Sequence, residues 1–338
     1  MATMLSTNSG ADFVNADAKQ YFVSPLFLGE DVLAGMDVMT DIKGNTYLDH
    51  FSAGSYLTTA DAGASFSGSE ASIYSNPQIS PNRVEVEIAM SGNNYYNKVK
   101  GQVLRSGTDK DNVDGTVLKQ IGADILMQGI KADFNRQIFF GDTDSTLAAS
   151  IGADFSVYDG AFKACAGIPD AQVTVATYAT GTDSAMAALA AVYASATAEL
   201  KELPKKFYVS GKIADDYTNE LTSIGVAPAY EDMQNGIPKL SYLGIPLVVR
   251  RDWDVVLATK YANVQMIQAA ATTDAVGTAA LGARIMLLAN DALVVGTDFN
   301  TANVESWYNR DEKELRFRFG YTCGTVLLDS KMACVYGN

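Results

Sequence analysis

Residues 112–142, with the sequence NVDGTVLKQIGADILMQGIKADFNRQIFFGD, decide the fold of this chain. Apolar residues follow one another at four-residue steps in the second half of this stretch: Leu126, Ile130, Phe134 and Ile138. That spacing places them on one face of an α-helix. Asn112 or Asp114 can cap the start of the helix, and Gly141 stands where a helix stop is expected. We therefore predict one helix from about residue 112 to 140, roughly 40 Å long, which suits a scaffold element.

The sequence before this helix is weakly hydrophobic. Residues 1 to about 24 are mostly small and polar and predict an arm rather than a packed element. Residues 60–81 are rich in Gly, Ser and Ala, so they bury little by themselves. Apolar and acidic residues then alternate as in a strand: Val84, Glu85, Val86, Glu87 and Ile88. An extended segment of about 50 residues is unusual inside a compact domain, so we expect it either to be disordered or to lie against another chain.

The sequence after the long helix combines helices with short apolar strands. A helix is predicted from about 183 to 203, where Pro204 ends it. The next helix carries three apolar residues on one face: Ile213, Tyr217 and Leu221. Apolar strands are predicted at 207–209, 242–249, 285–289 and 292–295. This alternation indicates a mixed α/β unit between about 175 and 298.

The C-terminal residues have strand patterns. Residues 305–308 and 315–321 are predicted to form a hairpin around the turn at 309–313, and apolar residues alternate with arginine in the second strand. Residues 325–329 and 332–335 are predicted to form a last pair of strands. We therefore expect the chain to end in β-structure.

Composition limits the chemistry available to this chain. Its 338 residues include 39 acids and 25 bases, and the formal net charge of −14 argues against binding DNA through a basic face. A single histidine, His50, removes the commonest routes to acid–base catalysis. The three cysteines, Cys165, Cys323 and Cys334, cannot form a disulfide framework and are interpreted as buried thiols. No run of about 18 apolar residues is present, so no membrane span is expected.

Two motifs resemble catalytic or phosphate-binding sequences. Asp142 and Asp144 form the Asp-x-Asp-x-Thr pattern of phosphatases that hold Mg²⁺ at the end of a parallel strand. Here the pattern follows a helix, so a solvated acidic turn is predicted instead. The tripeptide Ser210-Gly211-Lys212 lies at a strand-to-helix junction, as a phosphate loop would, but the upstream glycine of that loop is missing.

Two further candidates are isolated pairs. His50 lies beside Asp49 and is interpreted as part of a surface pair rather than as a catalytic base. Cys165 lies near Lys163 and is interpreted as a small buried hydrophobic residue rather than as an activated thiol. Neither pair therefore predicts an active site.

Arg250 and Arg251 are followed closely by Asp252 and Asp254. One interpretation is a solvated, charged strand end. The other is an ion-pair site between subunits. The sequence leaves both open.

The order of these parts resembles that of the major capsid protein of tailed bacteriophages, whose fold is named after phage HK97. In that family an N-arm and an extended hairpin, the E-loop, precede a long spine helix, an axial domain follows, and the chain returns to the peripheral sheet. Five segments carry the resemblance: residues 121–142 as the spine helix and its exit, 158–162 as the following turn, 206–221 and 242–249 as axial-domain pieces, and 289–298 as the return.

The resemblance implies an α+β fold of the HK97-like capsid type, with N-arm, extended E-loop, spine helix, peripheral domain and axial domain. It implies these limits: N-arm 1–45, E-loop region 46–98, peripheral domain with spine helix 99–174, axial domain 175–298, and return strands of the peripheral domain 299–338. The two domains are therefore expected to be interleaved along the chain.

The resemblance also implies a structural protein, not an enzyme, that self-assembles into an icosahedral shell around phage double-stranded DNA and needs no cofactor or metal. The implied partners are copies of itself in hexamers and pentamers, a portal, a separate scaffolding protein, and packaged DNA bound without sequence specificity. No membrane is involved. The implied location is the virion capsid, assembled in the cytoplasm of the host bacterium.

Segments that bury little within one chain are expected to contact neighbouring copies. The candidate inter-subunit residues are Ser65, Phe66, Ser67 and Tyr74 in the E-loop region, together with Arg250 and Arg251. Two alternatives remain for the function: an encapsulin-like compartment shell, and a phosphoesterase that uses Asp142 and Asp144.

Overall fold

The computed structural model describes residues 33, 36–53, 72–91, 117–143, 155–165, 168–174, 178, 184–225, 240–259, 284–298, 303–309, 311–312 and 314–337. Several predictions fall outside these residues: the arm at 1–24, the helix caps Asn112 and Asp114, the candidate contacts Ser65, Phe66 and Ser67, and the acid Asp144.

The described elements are helices and strands in similar measure. The α-helices are α1 (Val117–Phe140), α2 (Ala161–Ala164), α3 (Ala185–Ser195), α4 (Ala198–Glu202), α5 (Gly211–Ser223) and α6 (Arg251–Thr259). The strands before α1 are β1 (Asp37–Met39), β2 (Thr46–Tyr47), β3 (His50–Ala53), β4 (Ser72–Ser75), β5 (Gln78–Ile79) and β6 (Asn82–Ser91). The later strands are β7 (Val173–Thr174), β8 (Lys205–Ser210), β9 (Leu240–Tyr242), β10 (Ile245–Arg250), β11 (Ile285–Ala289), β12 (Leu293–Thr297), β13 (Asn303–Asn309), β14 (Glu314–Leu327) and β15 (Ala333–Tyr336). Short 3-10 turns lie at Asp170–Gln172 and Ser330–Met332.

Helix α1 is the predicted long helix, and its C-terminal half is buried. Ile130, Phe134 and Ile138 are at most 3% exposed, which confirms the apolar face. The ring of Phe134 lies 6.1 Å from that of Tyr321 in β14. Phe139 and Phe140 at the end of the helix pack their rings 4.9 and 5.6 Å from that of Trp253 in α6. The helix therefore joins the parts of the core that belong to the two large sheets.

The exit from α1 is closed by two glycines. Gly160 donates its backbone N–H to the carbonyl of Gly141 at 2.8 Å. A Cβ atom on Gly141 would lie 2.2 Å from the carbonyl oxygen of Tyr158, so only glycine fits there. The chain then enters α2, where Phe162 is fully buried. The predicted helix stop at Gly141 is confirmed, and the turn that the resemblance implies at 158–162 leads into α2.

The first large sheet has five strands and is built around β14. Along one edge β14 pairs antiparallel with β6, and along the other edge with β13 and then with β12. Strand β1 runs parallel to β12 on its far side. The alternating strand at 84–88 and the hairpin of β13 and β14 are thus confirmed.

The second large sheet has six strands in the order β7-β15-β11-β8-β10-β9. Strands β8 and β10 are parallel, and α5 lies between them in the chain. Strand β11 is buried along all five of its residues. This sheet and its helices form the predicted mixed α/β unit.

Two strands differ from the sequence-based expectation. Residues 325–327 do not pair with 333–335, because they continue β14 and pair with β12, while β15 pairs with β11 in the other sheet. Strand β12 lies in the predicted axial range but in the five-stranded sheet, and β15 lies in the predicted return range but in the six-stranded sheet. The two sheets therefore exchange strands, and the domain limits themselves stay a prediction.

The helix predicted over 183–203 is two helices. Helix α3 ends at Ser195, and Thr197 then starts α4 by accepting a hydrogen bond from the Leu200 N–H at 3.1 Å. The Ser195 hydroxyl donates to the carbonyl of Val192 at 2.9 Å. Side chains that bond to nearby backbone groups in this way compete with the continuous helical pattern, so the prediction of one helix is wrong.

Candidate functional site

The strand-to-helix junction at Ser210-Gly211-Lys212 is confirmed, but a carboxylate of the same chain already occupies it. The Lys212 N–H points at both carboxylate oxygens of Asp254, at 3.3 and 3.2 Å. Burial raises the pKa of Asp254, and its bonds to backbone N–H groups oppose that shift. Because Asp254 lies where a phosphate group would have to bind, this junction does not form a phosphate site.

The acidic turn after α1 is not solvated at Asp142, contrary to the prediction. Asp142 is 1% exposed, and its carboxylate lies 3.1 Å from the ammonium group of Lys163. The adjacent Thr143 donates both its N–H and its hydroxyl to Asp159 at 2.8 Å. A carboxylate that is buried, ion-paired and placed after a helix does not have the geometry of a phosphatase nucleophile.

The cysteines are unsuited to nucleophilic chemistry. All three are buried, and desolvation raises the pKa of Cys165 and of Cys323 to about 12. The interpretation of Cys165 as a small buried hydrophobic residue is confirmed, because its thiol stays protonated at neutral pH. Within the described ranges, no group of three or more His, Cys, Asp or Glu residues could hold a metal ion.

His50 lies near the carboxylate of Asp329, a residue that is distant from it in the sequence. Its Nε2 atom is 3.7 Å from Oδ2 of Asp329, and the two side chains are 23% and 12% exposed. Asp329 also accepts the N–H of Lys331 at 2.9 Å and so starts the turn before β15. The histidine thus links β3, at the base of the extended segment, to the connection between the two large sheets.

Both arginines of the Arg250–Arg251 pair have partners in their own chain. Arg250 is 3.1 Å from Asp252, and its guanidinium lies 5.7 Å from the centre of the Phe139 ring. Arg251 forms two hydrogen bonds with Asp215, at 2.8 and 3.1 Å, and remains 70% exposed. Nothing in the structure tests an inter-subunit role for either arginine, so that role stays a prediction.

A charged surface lies on the outer face of β6, β14 and β13. Arg318 of β14 lies opposite Glu87 of β6 and Glu305 of β13. Its Nε is 2.9 Å from the Glu87 carboxylate. In the neighbouring row, Arg316 of β14 lies opposite Trp307 of β13, which is 40% exposed. We call these five residues the charged ladder.

The ladder extends at both ends by further ion pairs. Arg83 contacts Glu85 at 2.7 Å, and Arg318 also lies 3.7 Å from Glu85. Arg316 pairs with Glu312 and, at 3.4 Å, with Glu314. These side chains are between 29% and 55% exposed, so solvent screens each pair and no single one contributes much stability.

The inner face of β14 is apolar. Phe317, Phe319 and Tyr321 of β14 are at most 3% exposed and lie on the side of α1. Burial raises the pKa of Tyr321 well above its usual range. One strand therefore separates the core from an open charged face, as its alternation of aromatic residues and arginines requires.

The extended segment is fixed to the sheet at its base. Gly296 of β12 and Gly324 of β14 are cross-strand partners. A Cβ atom on Gly324 would lie 2.9 Å from the carbonyl oxygen of Ser80, and one on Gly296 would lie 2.5 Å from Ile79, which is fully buried. Because neither glycine has a side chain, Ile79 and Ser80 can cross the sheet close to its backbone. Nearby, β4, which contains Tyr74, pairs with β3.

The sequence contained a signal for the charged ladder that was not used. Glutamates alternate with valines in β6, and arginines alternate with aromatic residues in β14. Opposite charges on two alternating strands suggest that the strands pair. Trp307 carried no such signal, because its exposure depends on which face of β13 is covered.

Comparison with known proteins identifies the fold. No protein-family model matches the chain, and no curated protein matches it. Among solved structures, a chain of the satellite phage P4 procapsid superposes with a TM-score of 0.58 at 10% identity, covering 98% of this chain and 93% of that one. A chain from Mycobacterium phage Ogopogo gives 0.57 at 12% identity, covering 91% and 92%. The holo-SrpI encapsulin of Synechococcus elongatus gives 0.52 at 10% identity, covering 92% and 87%.

Each of these superpositions covers at least 91% of this chain and at least 87% of the matched chain. The chain has the HK97-like α+β fold that the order of its segments predicted. No helix in the described ranges is both long and apolar enough to cross a membrane.

Proposed function

We propose that this chain is the major capsid protein of a tailed bacteriophage, a structural and non-enzymatic protein whose copies form a closed icosahedral shell around double-stranded DNA. The observation that carries the proposal is the match to a phage procapsid chain over 98% of this chain and 93% of the other.

The chemistry of the described residues supports a role in assembly rather than in catalysis. The motifs that resemble active sites are filled by the chain's own groups: Asp254 at the 210–212 junction, and Lys163 beside Asp142. Among the described residues, the outer face of β6, β14 and β13 is charged and exposed. Such surfaces suit contacts with other protein chains.

The proposed partners follow from a shell. Copies of the chain would form hexamers and pentamers, with a portal and a separate scaffolding protein taking part in assembly. The net charge of −14 suits DNA that must pack inside without adhering. The proposed location is the virion capsid, with assembly in the cytoplasm of the host bacterium.

The domain limits and contact residues belong to the same proposal. The peripheral domain would contain residues 99–174 and 299–338, and the axial domain residues 175–298, with β12 and β15 exchanged between the sheets. The proposed inter-subunit contacts are Ser65, Phe66, Ser67, Tyr74, Arg250 and Arg251. Of these, Arg251 has the best support, because it is 70% exposed despite its bond to Asp215.

Electron microscopy of the purified protein, expressed alone and with its scaffolding protein, tests the proposal. Closed shells with hexamers and pentamers are expected. A protein that elutes as a 36.0 kDa monomer under both conditions, without particles, would overturn it.

The encapsulin in the comparison supports a second candidate, a compartment shell that holds protein rather than DNA. The contents of purified shells separate the two. Nuclease-protected double-stranded DNA in shells from infected cells supports the capsid, whereas a co-purified cargo enzyme without DNA supports the compartment.

A further inference from the structure

Strand β13 forms a long and regular edge of the five-stranded sheet. Its seven residues pair one for one with β14, and in the described part of the chain β13 pairs with no other strand. The edge strands of the six-stranded sheet, β7 and β9, have only two and three residues. Proteins protect sheet edges by keeping them short, or with proline, lysine or a bulge. The sequence of β13, NVESWYN, has none of these protections, so its outer edge is suited to pair with another extended strand.

The exposed face of β13 carries an aromatic side chain. Side chains alternate along a strand, so Glu305 and Trp307 lie on the same face, and both are exposed. Trp307 exposes 40% of its surface, whereas Trp253 is completely buried. An exposed indole ring can bind the aliphatic stem of a long side chain and, through its π-face, a cationic group. The open edge and the indole ring therefore lie on the same strand.

The charge of this face favours a cationic partner. The charged ladder and the ion pairs that extend it contain three arginines and five glutamates, namely Arg83, Arg316, Arg318, Glu85, Glu87, Glu305, Glu312 and Glu314. Each arginine already contacts a glutamate of its own chain, so an acidic partner gains little there. A second copy, with its net charge of −14, and nucleic acid are both disfavoured because like charges repel.

Strand geometry predicts the sequence pattern of the partner. A strand added to β13 would place alternate side chains on the outer face, beside Glu305 and Trp307. Lysine or arginine at these alternate positions would meet the carboxylate and the indole ring, while the partner's main chain would bond to the free edge. Main-chain bonds of this kind supply affinity in strand addition, and the alternate side chains supply specificity.

We propose that the outer edge of β13 is a docking site for an extended segment of a different protein, with lysine or arginine at alternate positions, which joins the sheet as an added strand. Trp307 anchors the segment, and Glu305 contributes the adjacent negative charge. This inference goes beyond the proposed function and does not depend on it, because the site lies within one subunit.

Calorimetric titration of purified subunits and of shells with a synthetic peptide tests the inference. The probe is a peptide of seven residues, the length of β13, with alternating lysine and threonine and blocked ends. The matched control peptide is N-methylated at two consecutive central residues. It keeps the charge but loses a backbone N–H whichever of its edges faces β13. We expect the probe to bind subunits and shells alike, and the control peptide to bind severalfold more weakly.

Substitutions locate the binding at β13. Trp307→Ala and Glu305→Gln should each weaken binding of the probe severalfold. Val255→Ala, which trims another exposed apolar side chain (53% exposed, on α6), and Glu202→Gln, at an exposed glutamate of α4, are the matched controls and should bind like the wild type. Circular dichroism checks that each variant is folded.

The outcomes separate this inference from the proposed function. Equal affinities for the two peptides would overturn the inference and leave the capsid assignment intact, since they would show attraction by charge alone. Unchanged affinity in folded Trp307→Ala would also overturn it. Binding to subunits that is lost in shells would overturn it too, because a second copy would then be the occupant of the edge. Absence of shells would overturn the capsid assignment, and titration of the subunits would still decide the inference.

Discussion

Strand β11 of the six-stranded sheet is buried along its whole length, whereas the first half of β14 in the five-stranded sheet alternates between buried aromatic rings and arginines that reach solvent. A continuous apolar strand needs cover on both faces, and β11 receives it within its own chain. An alternating strand needs cover on one face only. The difference shows where the chain completes its own core and where it presents a charged face to solvent.

The largest expected effect comes from truncating the buried Trp253, and the same truncation at the exposed Trp307 serves as the comparison. Trp253→Ala should lower the free energy of unfolding by about 3–5 kcal/mol, because it leaves a cavity among Phe139, Phe140 and Phe162. Trp307→Ala should change the stability of the free subunit by less than about 1 kcal/mol. Urea unfolding of free subunits measures both, and equal losses would contradict the distinction between the two environments.

The next prediction tests whether water is excluded from the inner face of β14, as it is from the core of the six-stranded sheet. Burial raises the pKa of Cys323 to about 12, whereas an unfolded thiol ionises near 9.0. The neutral thiol therefore makes its full contribution to the free energy of unfolding below pH 9, and that contribution falls as the pH rises toward 12. The expected slope is about 1.4 kcal/mol per pH unit for each such thiol, Cys165 included.

Urea unfolding at about pH 8, 9 and 10, which extends about one unit on either side of the ionisation of an unfolded thiol, measures this slope. Burial also raises the pKa of Cys334, so the variant Cys323→Ala should lose the contribution of one thiol, about a third of the pH dependence that the three thiols produce together. An unchanged slope in this variant would show that water reaches the inner face of β14.

A smaller effect concerns the polar clamp between α3 and α5 in the six-stranded unit. Glu220 of α5 accepts hydrogen bonds from the N–H groups of Ala185 and Met186 at 2.5 and 2.9 Å, and from the Ser184 hydroxyl at 2.9 Å. Glu220→Ala should cost about 1–2 kcal/mol in unfolding free energy, because the start of α3 loses its acceptor. Glu202→Ala, at an exposed glutamate of α4, is the control and should be nearly neutral; matching losses would contradict the clamp.

The smallest effect belongs to the charged ladder. Arg318→Ala removes ion pairs with Glu87 and Glu85 at an arginine that is 45% exposed. We expect a loss of about 0.2–1 kcal/mol in free subunits, and a smaller loss in high salt. A loss of several kcal/mol would show that this face is part of the subunit core rather than an open surface.

Local patterns were enough to predict the elements but not their partners. The alternation at Val84–Glu87 and the four-residue steps of Ile130, Phe134 and Ile138 depend on which side of one element is buried, so the sequence shows them directly. The pairing of β6 with β14 joins residues more than 200 positions apart, for which only the opposite charges of Glu87 and Arg318 gave a hint.

Two further predictions were wrong for the same reason, because they relied on neighbours in the sequence rather than on neighbours in the folded chain. The predicted pairing of 325–329 with 332–335 favoured neighbours in the chain, whereas β15 pairs with β11 in the other sheet. Asp142 was expected in solvent because its neighbours are polar, and only the folded chain brings Lys163 to it. At the candidate sites, the sequence correctly predicted a buried Cys165 and a strand-to-helix junction at 210–212, but it did not indicate that Trp307 is exposed.

The passage from β11 to β12 has a mechanical consequence. The chain leaves the six-stranded sheet and enters the five-stranded sheet across only Asn290, Asp291 and Ala292, and it returns through the short turn before β15. A load applied to the outer face of β14 therefore reaches the second sheet through paired strands, with no slack linker between them. The two sheets are therefore expected to move together as one stiff unit rather than to bend at a hinge between them.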